Sequence, residues 1–220
     1  VLLGAGLALG LSSAAAAGDY SKSLVPGYPD VAAEYLQIPG YPAAGTPKAL
    51  NTATFLRLRA AADGDAPRPA NAVIVGLPGF SSTPPHWLYL ASQLVHKAQA
   101  RTCDGRPCRV EVWVLQRRGP NLADTSALTA ARKARDPRIA LDYYLGPDAI
   151  QASSIPGAPG RVGPATAKAR WKPLTQTDLA FMANWDFQAY AGDVDRIIGL
   201  IRETSGSHNI FLAGHSQGGG

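Results

Sequence analysis

Apolar residues along the chain follow two spacings, and each predicts a different kind of element. The continuous run Ala72-Val73-Ile74-Val75 ends in Gly76-Leu77-Pro78-Gly79-Phe80, the pattern of a strand buried on both faces that opens into a Gly-rich loop. Thr54 to Arg59 sets Leu56 and Leu58 against Arg57 and Arg59, which predicts a half-buried strand. Val110 to Leu115 predicts another, stopping at Gln116-Arg117-Arg118-Gly119, and Ile210-Phe211-Leu212-Ala213 a further short buried one. Between them the period changes to that of a helix. Trp87, Leu90, Ala91, Leu94, Val95 and Ala98 share one face, preceded by capping residues Ser81, Ser82 and Thr83 and by Pro84-Pro85 for a first turn. Phe187, Tyr190, Ala191, Val194, Ile197, Ile198 and Ile201 share another, leaving Asp193, Asp195, Arg196 and Arg202 for solvent.

Strands alternating with amphipathic helices predict an α/β domain, with a mostly parallel sheet covered by helices on both faces. Three segments fall outside that rhythm. Residues 18–50 are rich in proline and glycine and read as a leader arm without long regular elements. Residues 119–185 read as a long irregular insertion, broken by Gly157, Pro159, Gly160, Gly163 and Pro164. Its place after a strand end makes it a candidate lid, against the alternative of a surface loop. Residues 1–17 are an apolar run closing in Ala15-x-Ala17, the pattern of a secretory signal cut before Gly18. That run is too short for a stable membrane anchor. With neither an initiating Met nor a basic flank before it, the numbering is expected to begin inside the signal.

Composition adds two exclusions. Hydrophobic residues at 46% and charged residues at 17% of 220 exclude a disordered chain. The net charge of +5 is regional, because residues 117–172 hold ten Lys and Arg against four Asp. A basic segment without interleaved aromatics or a groove-reading motif does not predict nucleic-acid binding. The two cysteines, Cys103 and Cys108, flank Asp-Gly-Arg-Pro, whose Gly and Pro favour a tight loop and hence a disulfide in an exported protein. No histidine at a ligand spacing accompanies them, so no metal is expected.

The candidate chemistry follows the last strand. Gly214-His215-Ser216-Gln217-Gly218 is a G-x-S-x-G sequence placed between a strand and a turn, a nucleophile elbow in which Ser216 takes strained backbone angles while Gly214 and Gly218 let adjacent backbones approach. Over roughly residues 72–220 the chain resembles the α/β-hydrolase superfamily. Ala72–Leu77 is similar to its third strand, Leu77-Pro78-Gly79-Phe80 to its oxyanion loop, Trp87–Ala98 to its first sheet-packing helix, and Ile210–Ser216 to its fifth strand and elbow.

The resemblance implies a secreted or periplasmic serine hydrolase of the esterase or lipase kind. Ser216 would attack a small-molecule or lipid ester, without a cofactor, and the oxyanion would be held by the backbone N–H groups of Gln217 and Phe80. Leu77 supplies the second donor if the loop is aligned in the H-G-x register instead. Acyltransfer, peptidase activity and non-catalytic binding on the same fold are the alternatives. The family's order of Ser, acid, then His puts the base and its carboxylate after Ser216, so both are expected beyond residue 220, in a chain read as the N-terminal part of its domain and expected to be inactive by itself. His215 is expected to pack beside the elbow and His86 to cap a helix or line the site. His96 and His208 read as solvated, and Asp186 and Asp193 as exposed helix charges. Phe80, Trp87, Tyr89 and the stretch from Trp171 to Trp185 are candidates for an acyl pocket or for core.

Overall fold

Two apolar layers flank one sheet, and each is closed by a helix that the sequence periodicity marks out. The structure is a computed structural model and describes residues 23–63, 69–80, 82–146 and 171–219. The expected signal at 1–17 and residues 147–170 of the expected insertion lie outside the described residues. The chain divides into two compact units, one holding residues 122–180 and the other the remaining described residues.

The larger unit contains β1 (Ser23–Val25), β2 (Tyr28–Pro39), β3 (Thr52–Ala60), β4 (Ala72–Leu77), the two-residue strands β5 (Thr102–Cys103) and β6 (Arg106–Pro107), β7 (Val110–Gln116) and β8 (Ile210–Gly214). Helix α1 (Leu88–Gln99) follows β4. The six-stranded sheet has the order β1-β2-β3-β7-β4-β8. The pairs of β1 with β2, β2 with β3 and β3 with β7 are antiparallel, whereas β4 pairs in parallel with both β7 and β8. β2, β7, β4 and β8 therefore all run the same way. This mixed sheet of mostly co-directional strands is consistent with an α/β-hydrolase-like fold.

On one face Trp87, Ala91 and Val95 of α1 and its preceding turn pack on Val31, Ala33, Leu56, Leu58, Val112 and Val114. On the other, Val194, Ile197 and Ile201 cover Phe55, Val73, Val75, Trp113 and Leu115. Phe55 and Trp113 stack there with ring centroids 4.9 Å apart. Each such side chain, fully removed from water, contributes about 1.5–3 kcal/mol, so the crossover helices are held by packing more than by propensity.

Several expectations are corrected. The described part of the segment 18–50, residues 23–50, is not an arm, because β2 is a 12-residue strand paired with β3 from Val31↔Ala60 to Pro39↔Thr52. Its prolines, Pro29 and Pro39, lie at its two ends, where they disturb little of the ladder. β3 is buried on both faces rather than one, since Phe55, Leu56 and Leu58 are all fully buried. Its arginines are kept inside by carboxylates: Arg57 and Arg59 both reach Glu34. β8 is the reverse case, an outer strand of the sheet whose Phe211 and Leu212 are each 58% exposed.

The amino end of β7 holds a buried charge cluster. Glu111, fully buried, accepts from Arg57 Nε at 2.9 Å and Nη2 at 3.1 Å, Arg109 Nη2 at 2.9 Å, Trp113 Nε1 at 2.9 Å and Ser205 Oγ at 2.7 Å. Burial pushes its carboxyl pKa up. The Arg57 hydrogen bond and charge, aided by Ser205 and Trp113, outweigh this and hold the pKa below the usual carboxylate range. Cys103 and Cys108 form the expected disulfide, across a hairpin whose turn residues Asp104 and Gly105 both have positive φ, as a two-residue type I′ turn requires.

The smaller unit shows that the insertion is not irregular throughout. It contains α2 (Ser126–Ala134) and α3 (Arg138–Leu145), with Ala127, Ala131 and Ala140 buried. Tyr143 and Tyr144 donate to the side chain and backbone of Asp124, each at 2.6 Å. The helix-forming composition of residues 126–134 carries this pairing, whereas alanines make a weak apolar signal.

Candidate active site

β4 and β8 are parallel neighbours in the register Leu77↔Gly214, so their carboxyl ends bring two loops side by side. In an open α/β sheet this is where ligand crevices form. The pairing continues one step past the strands, His215 N donating to Leu77 O at 3.1 Å. The chain then turns sharply into the 3-10 segment Ser216–Gly219, closed by Gly218 N donating to His215 O at 3.0 Å.

Ser216 lies at φ +56°, in the left-handed region. For a residue with a Cβ that backbone costs on the order of 1–3 kcal/mol and persists only where the surroundings enforce it. The enforcement comes from glycines. A Cβ on Gly218 would collide with Leu77 O, and one on Gly214 with Gly218 O. A Cβ on Gly79 would lie 2.8 Å from Ser216 Cβ and 3.2 Å from Ser216 Oγ. The loop after β4 therefore runs directly against the serine, and three glycines in two loops make that approach possible.

The loop is held from the side by Arg117, at the carboxyl end of β7, whose Nε donates to Pro78 O at 3.1 Å. Its guanidinium lies over the Tyr190 ring, 4.6 Å from the centroid. Tyr190 belongs to α4 (Phe187–Thr204), which Asp186 caps by accepting from Ala189 N at 2.9 Å. Beside it Arg118 is buried and bound to Asp193, with Nη2 to Oδ1 at 2.7 Å and Nε to Oδ2 at 2.8 Å. Arg118 also donates to Tyr41 O at 2.6 Å and to Asn51 Oδ1 at 3.0 Å. Burial raises the Tyr190 phenol pKa; the Arg117 charge opposes this and Asp193 adds to it.

Arg117, Arg118, Asp186, Tyr190 and Asp193 border a cavity of about 650 Å³, within the range of small-molecule sites; Ser216 is not part of its wall, but the next residue, Gln217, is. Phe80 and Gln217, the two expected oxyanion donors, both line it, with Met182, Trp185 and Phe187 supplying apolar wall. Leu77 is drawn instead into the sheet pairing. Of the other aromatic candidates, Trp87 is core at 8% exposure, and Tyr89 is 72% exposed and not part of the cavity wall.

The structure does not bring the remaining candidates to Ser216. His86 Nδ1 accepts from Thr83 N at 3.1 Å and so serves as a helix cap. His96 pairs with Asp30 at 2.7 Å. Among the described residues no histidine or carboxylate hydrogen-bonds Ser216. Asp193, expected in solvent, is buried. Its position is legible in hindsight, because Ala189, Asp193, Ile197 and Ile201 form one i, i+4 row. Phe187, expected on the buried face, is 75% exposed. Arg117 and Arg118 had no assigned role, although an arginine pair at a strand's carboxyl end is a signal that charge stands beside the crevice.

No protein-family model matches the chain and no curated protein matches it. Among solved structures it is similar to a protein from Sulfolobus solfataricus described as a "putative lipase", at 13% identity and a TM-score of 0.45 over 89% of this chain; the chain spans 40% of that chain's length.

Proposed function

We propose that the chain carries the nucleophile of a serine hydrolase acting on carboxylic esters. The observation that carries this reading is Ser216, held at positive φ between the carboxyl ends of β4 and β8 with the Gly79 loop against its side chain. Strain of this kind at a crevice is a mark of a functional position.

In the reaction, Ser216 Oγ bonds to the ester carbonyl carbon while its proton passes to a histidine base. The carbonyl oxygen becomes an oxyanion, held by the N–H groups of Gln217 and Phe80; each such donor is worth about 3 kcal/mol in the transition state. The ester C–O bond then breaks, the alcohol leaves with the proton, and acyl-Ser216 remains. Water adds to that acyl group and releases the acid, returning Ser216 to its starting form. A histidine and an orienting carboxylate must be supplied from beyond the contacts that the described residues make with Ser216. Export is part of the proposal, supported by the Cys103–Cys108 disulfide. Among the described residues no helix is long and apolar enough to cross a membrane.

A second reading, a non-catalytic ester-binding protein, keeps the same elbow geometry without the chemistry. Fluorophosphonate labelling separates the two. The hydrolase reading predicts stoichiometric labelling slowed by added ester, and an unlabelled protein that still binds ester would establish the second.

A further inference from the structure

Two charged groups in the cavity wall, Arg117 and Asp186, have no opposite charge bound to them among the described residues. Arg118 is matched by Asp193, and Asp186 caps α4. Arg117 is fixed at two points, Nε on Pro78 O and its guanidinium face on Tyr190. Those contacts use one N–H and one π face, and the four N–H groups on Nη1 and Nη2 remain for a ligand. The same wall holds a second unmet polar group, the buried Tyr190 hydroxyl, which has no hydrogen-bond partner among the described residues. Phe80, Met182, Trp185 and Phe187 give the wall apolar surface, beside the polar Ser82 and Gln217. The planar fork of an anchored guanidinium matches a carboxylate.

Resting on Ser216 as the nucleophile, the geometry points to an ester that carries its own carboxylate: a half-ester of a short dicarboxylic acid, whose free carboxylate binds Arg117 while the ester carbonyl lies at Ser216. The chain must be short because Arg117 holds Pro78, and the next residue, Gly79, abuts Ser216. One residue step spans only about 3.8 Å. Arg117 is thus a specificity-determining residue for the proposed reaction. Hydrolysis proceeds as above, the half-ester yielding an alcohol and a dicarboxylate.

The test compares monomethyl glutarate with its uncharged counterpart, methyl 5-amino-5-oxopentanoate, on the full-length protein, with the part expected to supply the base, and on its Arg117→Gln and Arg117→Lys variants. The unaltered protein is expected to favour the half-ester by about tenfold or more in kcat/KM, mainly through KM, with the preference shrinking as salt is raised to 1 M. Arg117→Gln should bring the ratio of the two substrates close to one, and Arg117→Lys should retain part of it. The ratio is the readout, because loss of the Pro78 contact is expected to slow both substrates together. Fluorophosphonate labelling run in parallel keeps the two claims apart. A labelled Ser216 with no half-ester preference in the unaltered protein overturns this inference and leaves the nucleophile standing; an unlabelled protein overturns both.

Discussion

Ser216→Ala is expected to lower ester hydrolysis by roughly 10³-fold or more, since acyl-enzyme formation needs the oxygen that the substitution removes. The effect should fall on kcat and kcat/KM together, because the hydroxyl's bond to the carbonyl carbon forms only on the way to the transition state. Stability should barely move. Alanine keeps the Cβ that Ser216 places against Gly79 and occupies the same left-handed backbone at comparable strain. A thermal melt alongside the kinetics therefore distinguishes lost chemistry from lost structure. Unchanged turnover would move the nucleophile elsewhere. A fall in activity matched by a large fall in melting temperature would make Ser216 a structural residue of the turn.

The largest stability effect is expected at the other end of β7. Glu111→Ala removes the carboxylate that Arg57 and Arg109 share, leaving the partly buried Arg57 with Glu34 and the buried Arg109 with Asp63. Breaking a buried ion pair from one side costs about 3–5 kcal/mol, because the remaining charge stays desolvated. Chemical denaturation should show a loss of that size with little change in slope. The same cluster predicts a pH dependence. Because the folded pKa of Glu111 is lowered, its stabilisation is fully present above the unfolded value, about 4.3. It is lost as pH falls from there through the folded value. In Glu111→Gln that acid-side loss should shrink, and an unaltered stability profile between pH 5 and pH 2 would contradict the assignment.

The parts of this fold that were legible are those where one periodicity held over many residues. Val73 and Val75, Val112 to Leu115, and the row Val194, Ile197, Ile201 mark strands and helices whose burial matches the pattern. The elbow was legible because glycines at 214 and 218 have a steric purpose visible in a bare sequence. What escaped depended on partners remote in the chain. β2 hides between prolines because its alternation, Val31 and Ala33 inward, is short and weakly apolar. Arg57, Arg59 and Asp193 read as solvated until Glu34, Glu111 and Arg118 are placed beside them, contacts spanning 23 to 75 residues of sequence. A buried charge is legible only together with its counter-charge. The role of Arg117 likewise depended on the loop one strand away.

The central claim is that Ser216 forms a covalent bond to the acyl group of an ester. The most direct measurement mixes the protein with excess ester, quenches in acid within the first turnover, and maps the modified peptide by mass spectrometry. The account predicts one added acyl mass on the peptide containing Gly214-His215-Ser216-Gln217-Gly218, localised to Ser216 and absent from Ser216→Ala. An acyl group on any other residue, or turnover through Ser216 without a trapped acyl intermediate when deacylation is the slow step, would contradict it.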